Sequence, residues 1–140
     1  MAVLVVTSAA ESQRRLRLSL CRLKLRRTAV PSLEACRQAA LRRRWRVVIC
    51  EAVLPDGDWR DVLELFAGEA APRLIVTSRL ADERLWSDVL HRGGYDVLAQ
   101  PLANLEMDRV IRLAHADAPD RVVRRHRPDA AAPLAAAASA

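Results

Sequence analysis

The chain of 140 residues is 51% hydrophobic and 29% charged, which leaves room for one ordinary domain with a buried core and does not fit an intrinsically disordered composition. Its apolar runs are a few residues long where a membrane helix needs roughly 18, so a bilayer-spanning segment is not expected. The net charge of +6 is uneven: residues 1–50 hold twelve Lys/Arg against two acids, residues 51–114 seven against twelve, and residues 115–140 four against three, a polarity that suits nucleic acid, an acidic protein partner or internal pairing.

Met1-Ala2-Val3-Leu4-Val5-Val6 is apolar from the start, with no basic region before it. That is unlike a secretory signal and fits the first strand of a cytosolic protein. The run Val3–Val6 suits a strand buried on both faces. A helix is predicted from about Ala10 to Arg26. Residues Arg15 to Leu20 alternate with period 2, yet Leu16, Leu20 and Leu23 fall at helical spacing, and an extended reading would leave the first strand without a crossover. Thr28-Ala29-Val30 is a short strand ended by Pro31, and Ser32 with Glu34 opens a second helix to about Arg44. Trp45 to Cys50 is the third strand, followed by Glu51 and the turn-rich Leu54-Pro55-Asp56-Gly57-Asp58.

Trp59 to Phe66 is predicted helical, with Val62, Leu63 and Phe66 on one face, and Gly68 stops it. Leu74–Thr77 is a fourth buried strand, and Asp82 to His91 a helix closed by Gly93-Gly94. Tyr95 to Ala99 is the fifth strand, ended near Pro101. A last helix runs from Leu102 to Ala114, with Leu105, Val110, Ile111 and Leu113 as candidates for its buried side. Residues 115–140 combine three prolines, Arg124-Arg125-His126-Arg127 and an Ala-rich end. They are too poor in large apolar residues for a core, so a domain over 1–114 and a mobile tail over 115–140 are expected.

Strand and helix alternating five times imply an α/β fold, a doubly wound parallel sheet with helices on both faces. In such sheets functional groups gather at the carboxyl ends of strands, here Thr7, Ser8, Glu51, Thr77, Ser78 and Gln100. Cys21, Cys36 and Cys50 are an odd, unclustered set among aliphatic neighbours and read as small buried thiols in a reducing compartment. His91, His115 and His126 lack partners at ligand spacing, so no metal site is expected. No glycine-rich phosphate loop and no catalytic pair is visible among these residues, which argues against an enzyme. Trp59 and Trp86, with Arg14, Arg15 and Arg22, are candidates for a contact surface.

Over residues 1–114 the chain resembles the CheY-like receiver domain of response regulators, the phosphoacceptor module of two-component signalling. The resemblance rests on Glu51 followed by Leu54-Pro55-Asp56-Gly57-Asp58, on Val76-Thr77-Ser78, on Gly93-Gly94-Tyr95-Asp96-Val97-Leu98 and on Gln100-Pro101. It implies the flavodoxin-like (βα)5 fold with strand order 2-1-3-4-5. The family chemistry needs an acidic pair after the first strand for a divalent cation, an aspartate after the third for the phosphoryl group, a Thr/Ser after the fourth and a lysine before the proline after the fifth. Thr7 and Ser8 stand at the acidic pair, Glu51 at the acceptor, Thr77 at the hydroxyl and Gln100 at the lysine. Val97 stands at the aromatic switch position, and Trp59 where the turn after the acceptor usually ends in glycine.

The replacements are consistent in charge. Three carboxylates, an ammonium and a divalent cation sum to about zero in the family pocket, whereas Glu51 alone leaves −1 and no repulsion for a cation to relieve. Mg²⁺ binding is expected to be lost, and with it phosphoryl transfer, by about a thousandfold or more. Glu51 then has two open roles: a hydrogen-bonded carboxylate at the sheet edge, or a fixed negative charge that holds an activated-like arrangement. The expected function is a phosphorylation-independent receiver-like module, cytoplasmic and without a cofactor, that binds a signalling protein such as a histidine kinase or another regulator, with homodimerisation open. The alternative is a nucleic-acid-associated regulator using Arg14, Arg15, Arg22, Lys24, Arg26, Arg27, Arg42, Arg43, Arg44 and the tail. It lacks a helix-turn-helix signature and interleaved aromatics.

Overall fold

The aliphatic run at the start of the chain forms β1 (Ala2–Val6), buried along its whole length. In the computed structural model, which describes residues 2–68 and 71–119, the chain continues through α1 (Ala10–Arg22), β2 (Arg26–Val30), α2 (Leu33–Arg42) and β3 (Val47–Glu51). A small hairpin of β4 (Val53–Leu54) and β5 (Gly57–Asp58) precedes α3 (Trp59–Leu65). After it come β6 (Arg73–Ser78), α4 (Glu83–His91), β7 (Asp96–Ala99) and α5 (Asn104–Asp117).

The main sheet has the order β2-β1-β3-β6-β7, parallel throughout. Counted as sheet strands, this is the expected 2-1-3-4-5. Alternate residues of the strands divide the core in two. Val3, Val5, Val47, Ile49, Ile75 and Leu98 pack against Leu16 and Leu20 of α1 and Met107, Val110, Ile111 and Ala114 of α5. On the other face Leu4, Val6, Val48, Cys50 and Val76 meet Cys36 and Ala39 of α2, Val62 of α3 and Val89 of α4. The edge strand β2 is different: its residues Arg26 to Ala29 are exposed, and charged side chains there discourage edge pairing.

Helix termini explain most boundaries. Ser32 Oγ accepts from Ala35 N at 3.1 Å, and Asp56, in the β4–β5 turn, accepts from Leu33 N at 2.8 Å and Glu34 N at 3.0 Å. The exposed amides of α2 are thus capped from its own chain end and from a distant loop. These amides also hold the Asp56 carboxyl below its usual range. The loop is held close, since a Cβ on Gly57 would lie 2.7 Å from Asp61 Oδ2 and 2.8 Å from Leu33 Cδ2. Asp58 and Asp61 form a capping box at the start of α3.

The first helix ends earlier than its sequence pattern predicts, at Arg22 and not Arg26. Lys24 turns to φ 60, Lys24 N donates to Cys21 O at 3.0 Å and Leu25 N to Leu20 O at 2.9 Å, a Schellman closure that frees Arg26 and Arg27 for β2. The last helix runs beyond the predicted Ala114 to Asp117, and residues 120–140 of the expected tail lie outside the described residues. Leu105 is 87% and Leu113 46% exposed, contrary to their expected burial. The buried stripe is Met107, Val110, Ile111 and Ala114, whose 3-1-3 spacing is that of one helical face. Of the three cysteines, Cys36 and Cys50 are buried but Cys21 is exposed, because it faces away from the stripe of Leu16 and Leu20. Burial pushes the Cys36 thiol up to about 11 and raises Cys50 well above its ordinary value.

Candidate functional site

At the carboxyl ends of the strands a cluster of polar side chains forms around one carboxylate. Glu51 ends β3, and its register partner Thr77 lies beside it on β6. Thr7 follows β1, where its amide donates to Val30 O at 3.0 Å and anchors the strand end. Gln100 follows β7, joined to Pro101 by a cis peptide bond, and its amide donates to Ser78 O at 2.9 Å. Four chain segments distant in sequence therefore converge because parallel strands all end on the same side of the sheet.

The hydrogen bonds close on themselves. The Thr7 hydroxyl donates to Glu51 Oε1 at 2.5 Å and accepts from Ala9 N at 3.1 Å. Gln100 Nε2 lies 3.4 Å from Glu51 Oε2, 3.4 Å from Thr77 Oγ1 and 3.1 Å from Ser12 Oγ, each of which can accept from it. Gln13 Nε2 donates to Thr7 O at 2.7 Å, tying the first turn of α1 to the end of β1. Thr7 and Thr77 are each 1% exposed, Glu51 and Gln100 half-buried. Both carboxylate oxygens of Glu51 thus have neutral donors from this chain, which compensates the desolvation of a partly buried charge.

Thr7, Glu51, Thr77 and Gln100 come together as their positions predict, but Ser8 does not: it is exposed and makes no side-chain hydrogen bond among the described residues. Ser12, one turn into α1 and buried, takes part instead. It was invisible in the sequence because its partner Gln100 is 88 positions away. Among the described residues no group of three or more His, Cys, Asp or Glu is placed to hold a metal ion.

Val97 is buried on β7 and lines a cleft of about 290 Å³ with Ala81, Asp82, Glu83, Trp86, Ala99 and Glu106. Trp86 is 49% exposed there. Trp59, the other tryptophan that was a candidate for a contact surface, is 2% exposed: its amide donates to Ala52 O at 3.1 Å, and its ring packs in the core with the Arg60 guanidinium 4.9 Å from its centre. Three of the four arginines of α1 form ion pairs. Arg14 and Arg15 pair with Glu11 at 3.3 and 2.7 Å, and Arg22 with Asp108 at 2.9 Å. Arg15 holds the Glu11 carboxyl below its usual range, and Arg22 does the same for Asp108. Among the described residues no helix is long and apolar enough to cross a membrane.

The five-stranded parallel sheet and its strand order are those of the flavodoxin-like, CheY-like α/β fold. Solved receiver domains superpose on the chain accordingly. The receiver domain of the Francisella response regulator 1452 matches with a TM-score of 0.73 at 14% identity, covering 82% of this chain and 96% of its own. The chemotaxis response regulator CheY4 of Vibrio cholerae matches at 0.73 and 12%, covering 81% and 98%. A response regulator receiver protein from Pseudomonas putida matches at 0.70 and 23%, covering 80% and 95%. No protein-family model and no curated protein matches the sequence.

Proposed function

We propose that this chain is a receiver-like signalling module that works without aspartyl phosphorylation, by binding a protein partner. The observation that carries this reading is the closed hydrogen-bond set around Glu51. Thr7 and Gln100 engage its two oxygens, where a receiver needs a metal ion, a free aspartate and a lysine. The residues present do not fit Mg²⁺. A hard cation takes about six oxygen ligands, carboxylates among them, and this site offers one glutamate already bonded to its neighbours, buried hydroxyls and an exposed Ser8. Among the described residues the side chains bonded to Glu51 are neutral, whereas phosphoryl transfer needs a cation to stabilise the charge that develops.

The hydrogen-bonded role for Glu51 is therefore preferred to that of a phosphoryl mimic. One carboxylate carries about half the charge of a phosphoryl group, and it is matched here by local donors. The chain acts as an adaptor and not as an enzyme, in the cytoplasm, with a histidine kinase, another regulator or a second copy as partner. Its contact face includes Trp86 and the cleft beside Val97.

The site assignment is testable by restoration. Thr7→Asp, Ser8→Asp, Glu51→Asp and Gln100→Lys combined should give a folded protein that binds Mg²⁺ in a calorimetric titration where the parent does not. A folded quadruple variant without Mg²⁺ binding would count against these positions, and tight Mg²⁺ binding by the parent would count against the proposal.

A further inference from the structure

Apart from Arg46 and Arg17, the latter exposed on α1 without an ion pair among the described residues, the cations of residues 1–50 fall into two populations. Arg14, Arg15, Arg22 and Arg37 pair with Glu11, Asp108 and Glu34. Lys24, Arg26, Arg27, Arg42, Arg43 and Arg44 are all exposed, and none forms an ion pair among the described residues. The sequence explains why: no Asp or Glu occurs in residues 12–33 or 35–50, so no neighbour along the chain can neutralise them.

The fold brings the segments that carry these six cations to one end of the sheet. Arg26 lies opposite Ala2 in the β1–β2 register, and on the other side of β1 Arg46 N donates to Ala2 O at 3.2 Å. The 42–46 segment and the start of β2 therefore flank the same strand, at the amino-terminal end of the sheet. This is the end opposite Glu51, so the surface is independent of the candidate site. Arg46 and Arg73 at this end are already committed to carbonyls of α5, Arg46 to His115 O at 2.6 Å and Arg73 to Asp117 O at 3.0 Å.

We propose that this end of the sheet binds the phosphate backbone of duplex nucleic acid. Five of the six cations are arginines, whose planar guanidinium forks match phosphate oxygens. The nearest aromatic, Trp45, is buried beneath Arg43, 5.5 Å from its centre, so no stacking platform exists for unpaired bases. Among the described residues this end consists of helix C-termini and strand starts, with no helix placed to enter a groove, and the contact is therefore independent of base sequence. An acidic protein is disfavoured because, among the described residues, Leu41 is the one large apolar side chain exposed here, and protein interfaces need an apolar centre.

Anisotropy of a labelled random-sequence duplex, titrated with the full chain, tests this. If five or six cations engage, affinity should fall on the order of a thousandfold between about 50 and 200 mM salt. Arg27→Gln/Arg42→Gln/Arg44→Gln should weaken binding at the lower salt by about tenfold or more and make the log–log salt slope shallower by about three. The control Arg14→Gln/Arg37→Gln/Arg92→Gln has the same net charge and removes the exposed pairs with Glu11, Glu34 and Asp88, the last at 2.9 Å, which add little to stability; it should bind like the parent. Equal losses in both triple variants, or no binding by the parent at the lower salt, would overturn the proposal. Polyglutamate binding as tight as duplex binding would overturn it too, in favour of an acidic protein.

Discussion

Thr7 and Ser8 are neighbours with nearly the same chemistry and opposite surroundings. Thr7 is buried, donates to Glu51 and accepts from Ala9 N, while Ser8 is exposed. Replacing the Thr7 hydroxyl by a methyl keeps the shape but leaves a carboxylate oxygen and an amide short of a partner. Thr7→Val should therefore cost about 1–3 kcal/mol in urea unfolding, and Ser8→Ala should stay within about 0.5 kcal/mol of the parent. At this scale the sequence was partly legible. Thr7, Glu51, Thr77 and Gln100 could be placed because each closes a strand, and strand ends follow from the apolar runs before them. Ser12 and the burial of Trp59 could not, since both depend on contacts made across the fold. Local composition holds no sign that the residue opening a helix lies under the sheet.

Two helices end in the same backbone motif with different residues at its critical position. Gly93 takes φ 101 after α4, and Gly93 N and Gly94 N donate to Leu90 O and Val89 O at 3.2 and 2.8 Å. After α1 the equivalent residue is Lys24, at φ 60. A side chain in the left-handed region costs roughly 1–2 kcal/mol, offset in part by the greater chain entropy glycine loses on folding. Lys24→Gly is expected to stabilise the domain by about 0.5–1 kcal/mol in thermal or urea unfolding, and destabilisation would contradict the helix end described. This stop explains why periodicity extended the helix to Arg26: glycine signals the end of α4 in the sequence, and a lysine signals nothing. In α5 hydrophobicity points to Leu105 and Leu113 beside Val110 and Ile111, whereas spacing on one face selects Met107, Val110, Ile111 and Ala114, so that two of the four expected residues are buried. The β4–β5 hairpin, two residues per strand, is too short to produce a periodic signal.

For the whole molecule, the order of the five sheet strands was legible because aliphatic runs alternating with longer amphipathic segments leave few right-handed arrangements. Where the folded unit closes was less so. Beyond Ala114, the carbonyls of His115 and Asp117 accept from Arg46 and Arg73, the Tyr95 hydroxyl donates to Asp117 Oδ2 at 2.7 Å, and Ala118 is buried. A chain truncated after Ala114 should consequently melt lower than one truncated after Pro119, by several degrees for a loss of about 1–2 kcal/mol in a domain of this size. Equal melting temperatures would show that these contacts add nothing. The two ends of the sheet differ chemically, one holding the internally bonded Glu51 and the other six cations without an ion pair among the described residues, and the proposed function depends on the first. Its most direct test is intact-mass measurement after incubation with acetyl phosphate and Mg²⁺. The parent protein should keep its mass, whereas an adduct of about 80 Da, the mass a phosphoryl group adds, that is lost in Glu51→Gln would contradict a receiver working without phosphorylation.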